Sequence, residues 1–277
     1  MFSEMLYTPT GGWPYLYERK DLLAYHAASE QLRSGDEAVE LPETVMPEWL
    51  RIEMQGSQGS CQGHALSSCV EYLNVLEGNN YTQLSRACAY YQSQRIDGIR
   101  GDRGSTVEAG IRLAMGDGLC SEEDWPYPSQ YDNRIPSLYK DSMKWRIKGH
   151  IPVTTHQEVI THIGIRGPIH IGILWGEDID RQVAQTGVIS RYRPQNNWGG
   201  HSVYLPGYSS RDWEDKSATN QLTLLDNSWS LKWGRKGRCF VTKEALQAMI
   251  YYKYSVFEGL YGALAPQQIT PEYGDLN

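Results

Sequence analysis

The spacing of apolar positions changes once along this chain, near Ile151. Before that point apolar residues recur every three or four positions, the period of an amphipathic helix. Ala65, Cys69, Val70, Leu73 and Leu76 form one such stripe and predict a helix from Cys61 to Glu77. Ser60 is its candidate N-cap, and Gly78 supplies the stop. A second helix is predicted over Ser85 to Arg95. A third opens on the capping-box pattern Ser105-x-x-Glu108 and carries Val107, Ile111 and Met115. Ser121 to Pro128 reads as a turn and loop closing this helical half.

Beyond Ile151 a short helix, Gln157 to Ile165, precedes five strand-like runs. They are Ile169 to Leu174, Val188 to Tyr192, His201 to Tyr208, Gln221 to Asn227 and Arg238 to Thr242. These predict an antiparallel sheet closing into a barrel. A polar excursion, Ser209 to Asn220, reads as a hairpin tip between two of the strands. Helices first and strands second define an α+β chain. The organisation is therefore an extension over 1–40, a helical part over 41–150, a strand-rich part over 151–262 and an irregular tail over 263–277. Within the extension, Tyr17 to Leu32 is compatible with a helix, and the segment is expected to act as an arm, a docking segment for a partner or a pro-like segment.

Composition narrows the classes of function. Of the 277 residues, 40% are hydrophobic and 21% charged, as in an ordinary globule. A net charge of −7 with no long basic run argues against nucleic acid as a partner. The longest apolar stretches, such as Ile169 to Trp175, are too short to span a bilayer. Met1 to Lys20 lacks the marks of a secretion signal. None of the five cysteines has CxxC spacing, so free thiols in the cytoplasm or another reducing compartment are expected. The seven histidines show no metal-ligand spacing and no HExxH occurs, so neither a metal nor a cofactor is expected. Glu177, Asp178 and Asp180 read as a solvated acidic turn.

Three separated stretches carry the candidate chemistry. They are Gln55-Gly56-Ser57-Gln58-Gly59-Ser60-Cys61, Gly199-Gly200-His201-Ser202-Val203 and Asp226-Asn227-Ser228-Trp229. A thiol nucleophile needs a base to ionise it, and the base needs a third group to orient it. Cys61, His201 and Asn227 fit those roles in chain order. Cys61 at the first turn of a helix would also feel the partial positive charge of the helix N-terminus, which favours thiolate.

These residues resemble the papain family of cysteine peptidases. The likeness rests on Gly59-Ser60-Cys61, on Gln55 upstream of it, and on Asn227-Ser228-Trp229 followed by Trp233-Gly234 and Gly237. The resemblance implies a two-lobed fold, with a helical N-terminal lobe, an antiparallel β-barrel C-terminal lobe and a cleft between them. It implies hydrolysis of polypeptide substrates through an acyl-enzyme on Cys61, with His201 as base and Asn227 orienting it. Gln55 is implied as an oxyanion donor and Trp229 as a shield for the His–Asn bond. Gly104 and Ser105, in the run Asp102 to Thr106, resemble the edge along which substrates pair, and Gly200 is expected to line the cleft beside His201. Two positions depart from the family: Gln58 stands where a disulfide cysteine is usual, and Gln62 where an aromatic residue is usual. The rival to a peptidase is a non-catalytic module of the same fold serving as a structural or docking subunit. Acyl transfer other than hydrolysis shares the same first step.

Overall fold

The computed structural model describes residues 41–47, 49–132, 134–136, 143–209 and 221–264. The extension over 1–40 with its Tyr17–Leu32 segment, the excursion beyond Ser209 and the last part of the tail lie outside them. Strand β1 (Thr44–Val45) comes first, followed by helices α1 (Cys61–Leu76), α2 (Arg86–Asp97) and α3 (Val107–Met115). Then come β2 (Arg146–Pro152), α4 (His156–Ile165), β3 (Ile169–Trp175), α5 (Glu177–Thr186) and β4 (Val188–Ile189). The chain continues through β5 (Gly199–Ser209), β6 (Leu222–Asp226), β7 (Arg238–Thr242), α6 (Lys243–Tyr251) and β8 (Val256–Leu264).

Helix α1 is buried from Gln62 to Asn74 on all its faces rather than along one stripe. It packs against α2 and α3 on one side and against strands β5 and β8 on the other. Its apolar set therefore continues into one core with Ile111 of α3, Ile147 of β2, Tyr204 of β5 and Leu260 of β8. Leu76, placed on the predicted stripe, is 53% exposed because α1 ends there. The caps also depart from expectation. Thr106, not Ser105, caps α3, its hydroxyl accepting the N–H of Ala109. Ser60 stands at the α1 N-cap position, but its hydroxyl makes no cap bond and sits 2.6 Å from the Tyr127 hydroxyl. Ser85 caps α2 as its type predicts, accepting from the N–H of Cys88.

The strands form one sheet in the order β2-β8-β3-β5-β6-β7-β4, with β1 pairing to β5. All pairs are antiparallel except β4–β7. The path runs from β2 to β4 without joining its ends, so the sheet is open rather than a closed barrel. The two-lobed α+β architecture holds, with helices α1–α3 on one side and the sheet with α4–α6 on the other. Five elements escape the sequence pattern: β1, β2, α5, α6 and β8. Segment α5 is a short, highly charged helix whose buried face is Ile179, Gln182 and Val183, and its acidic start reads as a turn in the sequence. Glu177, Asp178 and Asp180 occupy its first turn, where carboxylates complement the helix dipole; they are not a free solvated turn. Ala263 and Leu264, expected in the tail, belong to β8 and pair with Ile147 and Arg146. Among the described residues no helix is long and apolar enough to cross a membrane.

One buried ion pair ties α1 to α2. The Arg86 guanidinium donates to both Glu71 oxygens, the Nη2–Oε2 bond at 3.0 Å, and both side chains are almost fully buried. Glu71 Oε1 also accepts the Leu84 N–H at 2.7 Å, so the carboxylate is fully engaged. Removing one partner leaves the other charge buried and unpaired, whereas removing both does not. Arg86→Met alone is expected to cost about 3–5 kcal/mol, and Glu71→Leu with Arg86→Met together clearly less. Chemical denaturation checks this; a double variant weaker than the single would overturn it.

Candidate active site

Cys61 opens α1 at the seam between helices and sheet and is half-buried. Burial pushes the thiol pKa up. The helix that Cys61 opens packs against β5, the strand that carries the imidazole of His201.

His201 lies in the N-terminal half of β5, opposite Ile173 of β3. Asn227 follows the last residue of β6, whose Asp226 pairs with Tyr204 of β5. Antiparallel register thus lays the carboxamide beside the imidazole, with His201 Nε2 and Asn227 Oδ1 3.0 Å apart. The same Oδ1 accepts the Ser228 N–H at 2.8 Å. A backbone N–H only donates, so this atom is the amide oxygen, and Nε2 of His201 must carry a hydrogen. In the neutral ring, Nδ1 is therefore the basic nitrogen. Asn227 is held in turn by its backbone N–H to the Gly237 carbonyl at 3.0 Å. A side chain at Gly237 would meet Ile52 at 2.2 Å, and its φ of +85° favours glycine, so this anchor depends on the missing Cβ.

Burial lowers the His201 pKa to about 4; the Asn227 bond and the Asp180 charge act in the opposite direction. Trp229 stacks on the imidazole, ring centroids 4.7 Å apart at 28°. Trp175 meets the same ring edge-on at 5.1 Å and 75°. Sequence reasoning missed Trp175; its only signal is its place at the end of the apolar β3 run.

Gln55 is buried and fixed from several directions. Its backbone N–H donates to the Ser228 carbonyl at 2.9 Å. Its side-chain Oε1 accepts from Ser228 Oγ at 2.7 Å, and Nε2 donates to the Gln58 carbonyl at 2.9 Å. The carboxamide is thereby oriented, with one Nε2 hydrogen left to offer. Tyr127, a residue not singled out from sequence, donates its hydroxyl to the Gln55 carbonyl at 2.8 Å and so takes its hydrogen from Ser60. Gln58 is buried between Pro128 and Tyr91, accepting from the Tyr91 hydroxyl at 2.9 Å.

The Asp102–Thr106 run is held by Asp102, whose Oδ1 accepts from the Gly59 N–H at 2.8 Å and the Tyr90 hydroxyl at 2.7 Å. Both backbone polar groups of Gly104 already have internal partners: its N–H donates to the Tyr90 hydroxyl, and its carbonyl accepts from Gln94. Gly104, with φ of +81°, turns the loop at this point. Ser105 donates its hydroxyl to Gln62 Oε1 at 2.7 Å, which links the loop to α1 through the departing glutamine. Gly200 is exposed at the start of β5, beside His201. All five cysteines are free thiols. Among the described residues no cluster of three or more His, Cys, Asp or Glu side chains is arranged to hold a metal.

Comparison with known proteins agrees with this geometry. The family model for the papain family cysteine proteases matches residues 46–256. A cysteine protease of the mite Blomia tropicalis is 24% identical over 203 residues, covering 70% of this chain and 57% of that protein. A probable cysteine protease of Arabidopsis thaliana is 24% identical over 196 residues, covering 68% of this chain and 48% of that protein. The chain thus spans about half the length of these relatives. Among solved structures, xylellain, a cysteine protease from Xylella fastidiosa, superposes with a TM-score of 0.65 at 20% identity, covering 80% of this chain and 87% of that one. The ragweed pollen cysteine protease Amb a 11 in its proform gives 0.64 at 17% identity, covering 82% and 67%. A family match over most of the chain, carried on a sheet and helix arrangement shared with solved cysteine proteases, makes this chain a member of the papain family of cysteine proteases.

Proposed function

We propose that this chain is a thiol endopeptidase that hydrolyses polypeptides through an acyl-enzyme on Cys61. The observation that carries the reading is the double use of Asn227 Oδ1 by Ser228 N–H and His201 Nε2. It makes Nδ1 the basic nitrogen, and the helix that Cys61 opens packs on β5, the strand that carries His201.

In this mechanism the Cys61 sulfur attacks the substrate carbonyl carbon while His201 Nδ1 takes the thiol proton. The oxyanion that forms is met by the free Nε2 hydrogen of Gln55 and the Cys61 backbone N–H. His201 then gives its proton to the leaving amine, and the C–N bond breaks to leave a thioester. Water, deprotonated by His201, attacks the thioester and returns the thiol. Asn227 orients the ring without adding a charge, so the imidazolium stays acidic enough to protonate an amine. Burial penalises a lone thiolate or a lone imidazolium, but a contacting pair of the two carries no net charge and is penalised less.

Three outcomes test this. Iodoacetamide at pH 6 is expected to label Cys61 ahead of the other four cysteines, and Cys61→Ala to abolish peptide turnover; turnover surviving in that variant would sink the reading. Gln55→Ala is expected to lower kcat on the order of 100-fold, measured on fluorogenic peptides. The third concerns pH. A His201 pKa lowered to about 4 means that the ring takes up a proton only in that region. The acid limb of kcat/KM is therefore expected near pH 4, with activity lost as pH falls through it. A limb at pH 6 or above would contradict the buried neutral base.

A further inference from the structure

The acidic run at the head of α5 divides by role. Asp178 pairs with Arg191 at 3.0 Å and accepts from Gln182, tying the helix to the chain after β4. Asp180 is half-buried and turns the other way. Its Oδ1 accepts two indole N–H groups, from Trp175 and from Trp233, each at 3.2 Å. Those tryptophans come from different elements, the end of β3 and the loop after Trp229. Both meet the Trp229 ring edge-on, Trp175 at 5.6 Å and 80° and Trp233 at 6.0 Å and 90°. Trp229 is the ring stacked on His201, and Trp175 also touches His201 directly.

From these contacts we infer that Asp180 is a positioning residue for His201, holding Trp175 and Trp233 so that they lock Trp229 and the imidazole in place. The inference rests on the proposed peptidase reading. The physical need for such a device is clear. His201 sits near the start of its strand, and the Asn227 bond fixes one atom of the ring. A single bond leaves the ring free to rock about it. The stacked and edge-on rings remove that freedom, and one carboxylate oxygen shared by two N–H donors keeps those rings in register. Asparagine can take over the role, since its Oδ1 also accepts two N–H bonds. Alanine cannot. Trp233→Phe removes one N–H while keeping an aromatic ring in place.

The test compares Asp180→Ala, Asp180→Asn and Trp233→Phe with the full chain. Asp180→Ala is expected to lower kcat about 10- to 100-fold with KM changed less than about threefold, the pattern of a misoriented base. Asp180→Asn should recover to within about threefold of the parent, and Trp233→Phe should lie between. The rate of Cys61 alkylation by iodoacetamide at pH 6 should follow the same order. Wild-type kcat in a folded Asp180→Ala protein would overturn the inference, as would Asp180→Asn proving no better than alanine. If alanine prevents folding, Trp233→Phe decides: unchanged kcat and alkylation rate refute the role. If the parent turns over no peptide, the peptidase reading fails first. The alkylation series then still judges Asp180, with equal rates across the variants counting against it.

Discussion

Helix α1 can hold Cys61 at the candidate site only because it is packed on all sides between two layers. The helices α2 and α3 cover one flank, and β5 and β8 cover the other. With no face left to solvent along most of its length, the helix has little freedom to slide or roll, because protein interiors are close-packed. The position of its first residue is then set by the whole core rather than by a local loop. The Arg86–Glu71 pair, buried deep in the same seam, adds a specific link between α1 and α2. Everything that meets Cys61 from the sheet side does so across this packed boundary.

The site is a set of amide and indole groups with few free choices. Asn227 Oδ1 is committed by Ser228, Gln55 is committed by Ser228 and Gln58, and two indoles are committed by Asp180. Ser228 stands at the centre, donating its backbone N–H to Asn227 and its hydroxyl to Gln55 while its carbonyl accepts from the Gln55 backbone. Orientation of the His201 ring and of the Gln55 carboxamide is therefore coupled through one residue. Preorganised dipoles of this kind need no rearrangement as charge develops, which is the condition for strong electrostatic stabilisation in a water-poor site.

The usual disulfide and aromatic residue of the resembling family are replaced here by hydrogen bonds. Gln58 is held by Tyr91 and Pro128, and Gly59 is clamped by Asp102. Gln62 reaches Ser105. Each neutral bond contributes on the order of 1 kcal/mol, and several together hold the loop before α1 against the 101–105 turn. This arrangement works with every cysteine as a free thiol.

Much of this was legible along the chain. Helix α1, strand β5 with His201 and strand β6 just before Asn227 follow from apolar pattern, because those segments are long or strongly apolar. Cys61, His201, Asn227 and Gln55 stand out as candidates because thiol catalysis requires those residue types, set in sharply local motifs. Tertiary structure alone decided the rest. The sheet is open, with β2 and β8 at one edge, two strands distant in sequence that no local period joins. Gly104 is bonded to Tyr90 and Gln94, partners brought in by α2. Asp180 and Trp175 entered the site through folding of a polar helix against a strand end, a proximity that no spacing encodes. Local sequence specifies which groups exist and what short-range shape they prefer. Which of them share a hydrogen bond depends on burial and register across the whole chain.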